Sequence, residues 1–382
     1  MIRQKRFAAH FVLACRAAIW LGLVVSAFLG PATVWAQETD GKRSRSVGDA
    51  SPVMLQMIRD DAIHEELDLQ ANQREQILKV LETVDPPWWR ARNFPAEKQS
   101  VAIAELNTEL RRRLGGVLQP RQYKRLQELC RQAKGTRMFT DDDVAEKLGI
   151  SAGTVNELKR VYQTNDERSA KLQKELNEGK RPAKEANEAL QQIKQDERRQ
   201  VLALLDKSQQ LRIGELTGKP FNFRVVKRMY PLAPELKFDD ASWLQGDPAT
   251  LRSLRGKVVA VHFYAFQCYN CVNNLPHYNK WHREFADDGL VVIGIQTPEL
   301  SRERDPKLVL AAAKKQSLEY PILMDANKAN WDAWSNTMWP SVYLIDKKGY
   351  IRRWWQGEMN WKGNNGEEQM RQTIQMLLDE PA

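Results

Sequence analysis

Four cysteines in 382 residues are too few for a disulfide-stapled scaffold. They stand at Cys15, Cys130, Cys268 and Cys271, so the chain holds one close pair and no second one. A structural zinc site needs four ligands, and His277 and His282 are out of helical register with the pair. Haem attachment through C-x-x-C requires a following histidine, and Val272 stands there. After residue 36 no apolar run reaches the roughly 20 residues that span a bilayer. What the chain does have is charge, 28% of its residues, and a net formal charge of +9. Hydrophobic content is 42%, the composition of a globular protein with a large solvated helical part.

The positive balance is partly local. Arg3, Lys5, Arg6 and Arg16 precede the apolar segment Ala17 to Leu29, which is followed by Pro31 and Val34-Trp35-Ala36. This order reads as a signal peptide over residues 1–36, cut after Ala36, and implies a periplasmic or cell-envelope location. The segment holds four cations and no acid, which leaves +5 on the remainder and little argument for nucleic acid. Residues 37–52 are polar and without periodicity, a flexible linker.

From 53 to 220 the spacing of Leu, Ile and Val among Glu, Lys, Arg and Gln predicts helices. Breaks are expected at Asp85-Pro86-Pro87, Asn93 to Pro95, Gly115-Gly116, Gly135, Gly149, Gly179 with Pro182, and Gly214 to Pro220. An internal repeat runs through this region. Leu118, Gln122, Arg125, Leu126, Glu128 and Leu129 recur in the spacing of Leu205, Gln209, Arg212, Ile213, Glu215 and Leu216. Leu67, Leu69, Ile77 and Val80 match Leu148, Ile150, Leu158 and Val161. Two helical-hairpin units, about 53–135 and 138–218, follow. The shared Leu-x-x-x-Gln element (LQANQ, LQPRQ, LDKSQ) reads as a helix entry. It also resembles the helix-start motif of the Spy/CpxP periplasmic helical family, which implies a protein partner for this region. Val144 to Val155 has the outline of a DNA-binding helix-turn-helix. The export signal, and the register this stretch shares with Leu67 to Val80, argue for a plain helix pair and no nucleic acid. Cys130, beside Leu129 in a helix, reads as a buried small residue.

The pattern changes near residue 230. Val258 to Phe266 is an apolar run with strand character, Cys268-Tyr269-Asn270-Cys271 follows, and helical spacing resumes from Val272 to Phe285. Cys268 then sits where the first backbone N–H groups of a helix lack intrahelical partners. That partial positive charge favours a thiolate. Cys271, one turn on, is placed to attack a mixed disulfide formed at Cys268. Beyond lie a strand at Leu290 to Gln296, a helix at Pro306 to Gln316 and an extended stretch at Tyr320 to Met324. A hairpin of Ser341 to Asp346 with Tyr350 to Trp355 and a last helix at Thr373 to Leu378 complete the order. The expected fold is therefore all-α hairpin repeats followed by an α/β domain over 230–380, a mixed sheet with helices on both faces.

These residues carry a resemblance. Leu254 to Val259, Cys268-Tyr269-Asn270-Cys271, Leu275-Pro276, Trp281-His282, Asp288 to Gly294, Thr297-Pro298-Glu299 and Trp339-Pro340 through Tyr343 to Asp346 resemble the exported thioredoxin-like proteins of the TlpA/redoxin group. The nearest likeness is to the periplasmic thioredoxin-like domain of DipZ-type proteins. The resemblance implies a thiol–disulfide oxidoreductase with no cofactor beyond its own disulfide. Its partners would be protein dithiols or disulfides and an unknown electron donor or acceptor. Cys268 is then the attacking thiol and Cys271 the resolving one. Pro340 is the cis-proline facing the pair, with Trp339 and Ser341 gripping an extended substrate, and Tyr269 and Asn270 are the tuning dipeptide. Where thioredoxins carry a buried acid this chain has His262, either a base for Cys271 or a satisfied core histidine. A functional Glu of some relatives is Asn274 here, its role absent or moved to Glu299. Peroxiredoxins carry Pro and Thr where Val261 and Ala265 stand, which disfavours peroxide chemistry, although a thiol-dependent antioxidant activity stays an alternative. The other alternative is a non-catalytic scaffold whose thioredoxin-like domain only recognises.

Overall fold

In the computed structural model the described residues are 50–177, 180–239 and 242–381. The expected signal peptide and nearly all of the linker lie outside them. By their contacts the described residues form two compact units, 131–223 in one, and 50–130 together with 224–381 in the other.

Nine helices precede the sheet among the described residues: α1 (Val53–Met57), α2 (Asp61–Glu66), α3 (Ala71–Ala91), α4 (Ala96–Gly115), α5 (Pro120–Lys134), α6 (Asp142–Leu148), α7 (Ala152–Asn177), α8 (Ala183–Ala203) and α9 (Lys207–Thr217). The break expected at Asp85-Pro86-Pro87 is not one: α3 runs through both prolines. Two prolines remove two backbone donors from a helix, and burial holds the register regardless. Val84, Asp85 and Trp89 are buried. The Asp85 carboxylate takes the Arg59 guanidinium on both oxygens, at 2.7 and 2.9 Å, and the Leu232 N–H at 2.8 Å. Gly214, also read as a break, lies inside α9.

The Leu-x-x-x-Gln elements are helix entries whose glutamine closes the first turn and straps a neighbour. Gln122 accepts the Gln119 N–H at 2.9 Å and donates to the Asp68 carbonyl at 3.1 Å. Gln209 accepts the Asp206 N–H at 3.0 Å and donates to the Gly149 carbonyl at 3.2 Å. Asp68 and Gly149 both have positive φ, 53° and 67°, so each strap ends on a left-handed turn that closes a short helix. Gln73 does likewise with Gln70 N–H and the Val117 carbonyl. The stretch with helix-turn-helix outline is α6, Gly149 and the start of α7. Its Val144, Leu148, Ile150 and Leu158 pack with Phe139, Tyr162, Val201 and Leu205.

The sheet has β1 (Trp243–Gln245), β2 (Val258–Tyr264), β3 (Leu290–Gln296), β4 (Ile322–Met324), β5 (Ser341–Ile345) and β6 (Ile351–Gln356), in the order β1-β4-β3-β2-β5-β6. β2 lies parallel to β3 and antiparallel to β5. Between the strands come α10 (Tyr269–Phe285), α11 (Pro306–Lys315) and α12 (Ala329–Ala333), and α13 (Gly366–Asp379) closes the chain. Successive β2 side chains point to opposite faces. Val258, Ala260 and Tyr264 join α10, α11 and α13 in one core. Val259, Val261 and Phe263 face another, with Trp331 and Trp334 and with Trp89 from α3. This mixed sheet, covered on both sides, is the expected α/β domain. Two features were not foreseen: the three-residue edge strand β1, and the cover that α3 supplies on the second face.

Because Arg59 and Asp85 have almost no side-chain exposure, 0% and 2%, replacing one strands the other's charge. Asp85→Ala is expected to cost about 3–5 kcal/mol in urea-induced unfolding. A loss below about 1 kcal/mol would show that the pair does not hold this helix to the chain.

Candidate dithiol active site

β2 ends at Tyr264, and the chain turns over Ala265 to Gln267 to present Cys268 as the N-cap of α10. Its N–H donates back to the Ala265 carbonyl at 3.1 Å, and its carbonyl accepts the first helical bond, from Val272 N–H at 3.0 Å. Cys268 is partly exposed, whereas Cys271, on the inward side of the first turn, is fully buried. Both thiols are free. The Cys271 thiol donates to Cys268 and holds its pKa down to about 7, helped by the backbone N–H groups of Cys271 and Asn270. Burial and the negative charge of Glu299 oppose this. Burial pushes the Cys271 thiol far up, and donation to Cys268 adds to it. The two thiols are thus split into a nucleophile that ionises near neutrality and a partner that keeps its proton.

Cys268 and Trp339 both pack against the core cluster that contains Cys271. The Trp339–Pro340 peptide is cis. The Trp339 ring stacks on Trp331 at 3.9 Å between centroids and donates its indole N–H to the Thr297 carbonyl at 3.2 Å. Ser341 is buried as the first residue of β5, paired with Phe263, and its hydroxyl donates to the Met338 carbonyl at 2.8 Å. Tyr269 and Asn270, between the cysteines, are exposed.

His262 lies on the β2 face that packs against α10. It is fully buried, stacked on Tyr278 at 4.1 Å and flanked by Tyr264 and Tyr320 at 5.1 and 5.3 Å. Among the described residues neither ring nitrogen has a hydrogen-bond partner. Burial lowers its pKa to about 3, so the imidazole stays neutral at physiological pH. Room for it comes from Gly294 on β3, where a Cβ would stand 2.9 Å from Nε2. Asn274 ties α10 to the loop after β6: its amide donates to the Gly357 carbonyl at 3.1 Å and its oxygen accepts the Met359 N–H at 3.1 Å. Glu299 is exposed in the loop after β3, and its charge acts on both thiols.

Sequence reasoning passed over two groups beside this site. The first is Glu303, fully buried, which accepts the N–H of Gln267, Glu299 and Leu300, each at 2.8 Å. A Glu three residues after a helix start is a visible capping signal, but Leu300 in place of Ser or Thr conceals it. The second is the end of α3. Trp89 donates its indole N–H to the Trp334 carbonyl at 3.0 Å. Arg92 donates to the carbonyls of Trp334 and Ser335, both at 2.9 Å, and Asn93 to that of Ser335 at 2.7 Å. These bonds fix the backbone a few residues ahead of Pro340. No local sequence signal marks them. Among the described residues no cluster of three or more His, Cys, Asp and Glu side chains converges in the manner of a metal site.

Residues 232–354 match the family model described as AhpC/TSA family. Protein DipZ of Mycobacterium bovis is 42% identical over 123 residues, which are 31% of this chain and 18% of DipZ. The thiol-disulfide oxidoreductase YkuV of Bacillus subtilis is 28% identical over 129 residues, 34% of this chain and 86% of YkuV. A solved thiol-disulfide isomerase from Corynebacterium glutamicum is 24% identical, covers 39% of this chain and 98% of its own, and superposes with a TM-score of 0.34. The chain thus spans less than a fifth of the length of DipZ, and these matches fall on its C-terminal part. Residues 232–354 are thus thioredoxin-like and similar in sequence to the AhpC/TSA family and to DipZ.

Proposed function

We propose that the chain is an exported thiol–disulfide oxidoreductase acting on protein disulfides through Cys268 and Cys271. The observation that carries this reading is the split pair at the start of α10, one thiol down to about 7 and its neighbour raised. The Cys268 thiolate attacks one sulfur of a substrate disulfide, and the other substrate sulfur leaves as a thiolate. Cys271 then gives its proton to the substrate thiolate already released and attacks Cys268, and the second substrate sulfur leaves as a thiolate that takes a proton from water. The pair ends as a disulfide, oxidised by two electrons, and the substrate as a dithiol, reduced by two. Run backwards, the same steps insert a disulfide. Because His262 is held neutral down to about pH 3, it serves poorly as the final resting place of the Cys271 proton. Trp339, Pro340 and Ser341 are assigned the grip on the substrate backbone, and Tyr269 and Asn270 its exposed edge.

The whole-chain reading is a signal peptide over 1–36, a linker over 37–52, helical units over 53–135 and 138–218, and the thioredoxin-like domain over 230–380. In it the first helical unit supports the redox domain through α3, and the second is the surface for a protein partner. The name YkuV carries, a thiol-disulfide oxidoreductase, agrees with the proposed activity. In the competing reading, a scaffold that recognises without exchanging, the two thiols would have no need of different acidities.

Equilibration with glutathione is expected to give a reversible Cys268–Cys271 disulfide, and Cys268→Ser is expected to abolish substrate reduction while leaving binding intact. A pair that never oxidises, or a Cys268→Ser protein with full activity, would sink the proposal in favour of the scaffold. Alkylation of reduced Cys268 by iodoacetamide reports the thiolate. Its rate is expected to level off above pH 7 and to fall about tenfold per unit well below it, with a midpoint near 7. In Cys271→Ala the thiol donor is lost and the midpoint should rise. A wild-type midpoint near 9 would show that the helix start and Cys271 do not activate Cys268.

A further inference from the structure

Glu303 is buried deep enough that its carboxyl group sees no solvent, yet among the described residues no cation pairs with its two oxygens. Both oxygens are spent on backbone. Oε2 accepts Glu299 N–H and Leu300 N–H, each at 2.8 Å, as the closing residue of the short helical turn Ser301–Arg304. A helix cap needs nothing more. Oε1 does something a cap does not require: it crosses to the N–H of Gln267, again at 2.8 Å, the residue immediately before Cys268. One side chain therefore joins the loop after β2, which presents the attacking thiol, to the loop after β3, which presents Glu299.

We propose that Glu303 is a positioning residue that locks the Glu299 loop to the Cys268 loop, so that the acidity of the attacking thiol is set by both loops together. This deepens, and rests on, the oxidoreductase reading of the same site. Charge-assisted bonds from a carboxylate to backbone N–H are short and strong, and three on one buried group leave it little freedom. Glu299 itself is exposed, and the clamp on its own N–H is what fixes where its backbone sits. Around Cys268 the groups that can act electrostatically are few. From α10 come the Cys271 thiol and the N–H groups of Asn270 and Cys271, and from the loop after β3 comes the opposing charge of Glu299. Tyr264 on β2 and Tyr278 on α10 are neutral, their hydroxyls raised by burial. His262 is neutral as well, and on the side of Trp339 stands Lys328, 4.9 Å from the Trp339 ring centroid. Release of the clamp lets Glu299 move away from the thiols, and Cys268 should then become more acidic.

The test uses the full chain, reduced with dithiothreitol, with iodoacetamide labelling of the Cys268 peptide followed by mass spectrometry across pH. Glu299→Gln is expected to lower the Cys268 midpoint, read as alkylation on the order of twofold faster at pH 6. Glu303→Gln, which puts an amide donor against backbone donors, should lower it by a similar amount. The double variant should go no further than either single one, because both remove the same influence. Additive shifts, a Glu303→Gln midpoint equal to wild type, or a Glu299→Gln midpoint equal to wild type each overturn the proposal. A change in melting temperature alone, with the midpoint unmoved, leaves Glu303 as a cap and likewise overturns it. Should Glu303→Gln fail to fold, Glu303→Asp, which withdraws the oxygens by one methylene, is judged by the same criterion. These readouts concern the reduced thiol, so they stand apart from the glutathione equilibration: a pair that cannot oxidise defeats the function, whereas an unmoved midpoint defeats only the clamp.

Discussion

Irregular backbone taken out of water must find acceptors for its N–H groups, and around the six-stranded sheet it finds them in carboxylates. Asp60 accepts Lys227 and Arg228, Asp85 accepts Leu232, and Glu235 accepts Leu251 and Arg252. Asp325 accepts Asn330 and Trp331, Asp346 accepts Lys348 and Tyr350, and Glu303 accepts Gln267, Glu299 and Leu300. Each acid stands where a loop meets a strand or helix. Two also meet a cation: Arg59 on Asp85, and Arg228 and Arg352 on Asp346. Losing Asp60, Asp85, Glu235 or Glu303 would leave donors unsatisfied on a second segment, so those loops are fixed in relation to each other and not singly.

That constraint explains how a small motif acquires its chemistry. C-x-x-C at the start of α10 needs only a strand, a turn and a helix to expose one thiol and bury the other. What the motif does not supply is the placement of the surrounding loops, which comes from residues distant in sequence. Glu303 holds the loop before Cys268, Asn274 holds the one after β6, and the end of α3 holds the segment that leads to Pro340. The apolar interior adds a further condition. His262 is stacked among tyrosines with no partner for either nitrogen among the described residues, and it fits because β3 offers Gly294 beneath it.

The legible part of the molecule is what local pattern encodes. The runs Val258 to Tyr264 and Leu290 to Gln296 are apolar on both faces, as strands covered on both sides must be, and the helix starts carry their Leu-x-x-x-Gln elements openly. Three features were hidden, each for a physical reason. The three-residue strand β1 carries too little alternation to register. Pro86 and Pro87 read as a break because local propensity says nothing of Asp85, Arg59 and Leu232 meeting from three separate segments. Glu303 and Arg92 look like ordinary surface charges in sequence, and only the fold reveals that their partners are backbone groups of remote loops.

The attachment of α3 also bears on how the molecule is made. The Trp89 indole bonds a carbonyl 245 residues downstream, Arg92 reaches a hydroxyl 251 residues away, and Asp61 meets a lysine 287 residues on. Contacts so far apart require a large loop to close before they reward it, and such topologies fold slowly. A ribosome delivers residues 50–130 before the sheet that completes their core. Through most of synthesis, then, Trp89 and the buried face of α3 are without the surface they are shaped for. Helices made well before the sheet are thus among the last parts of this fold to be finished.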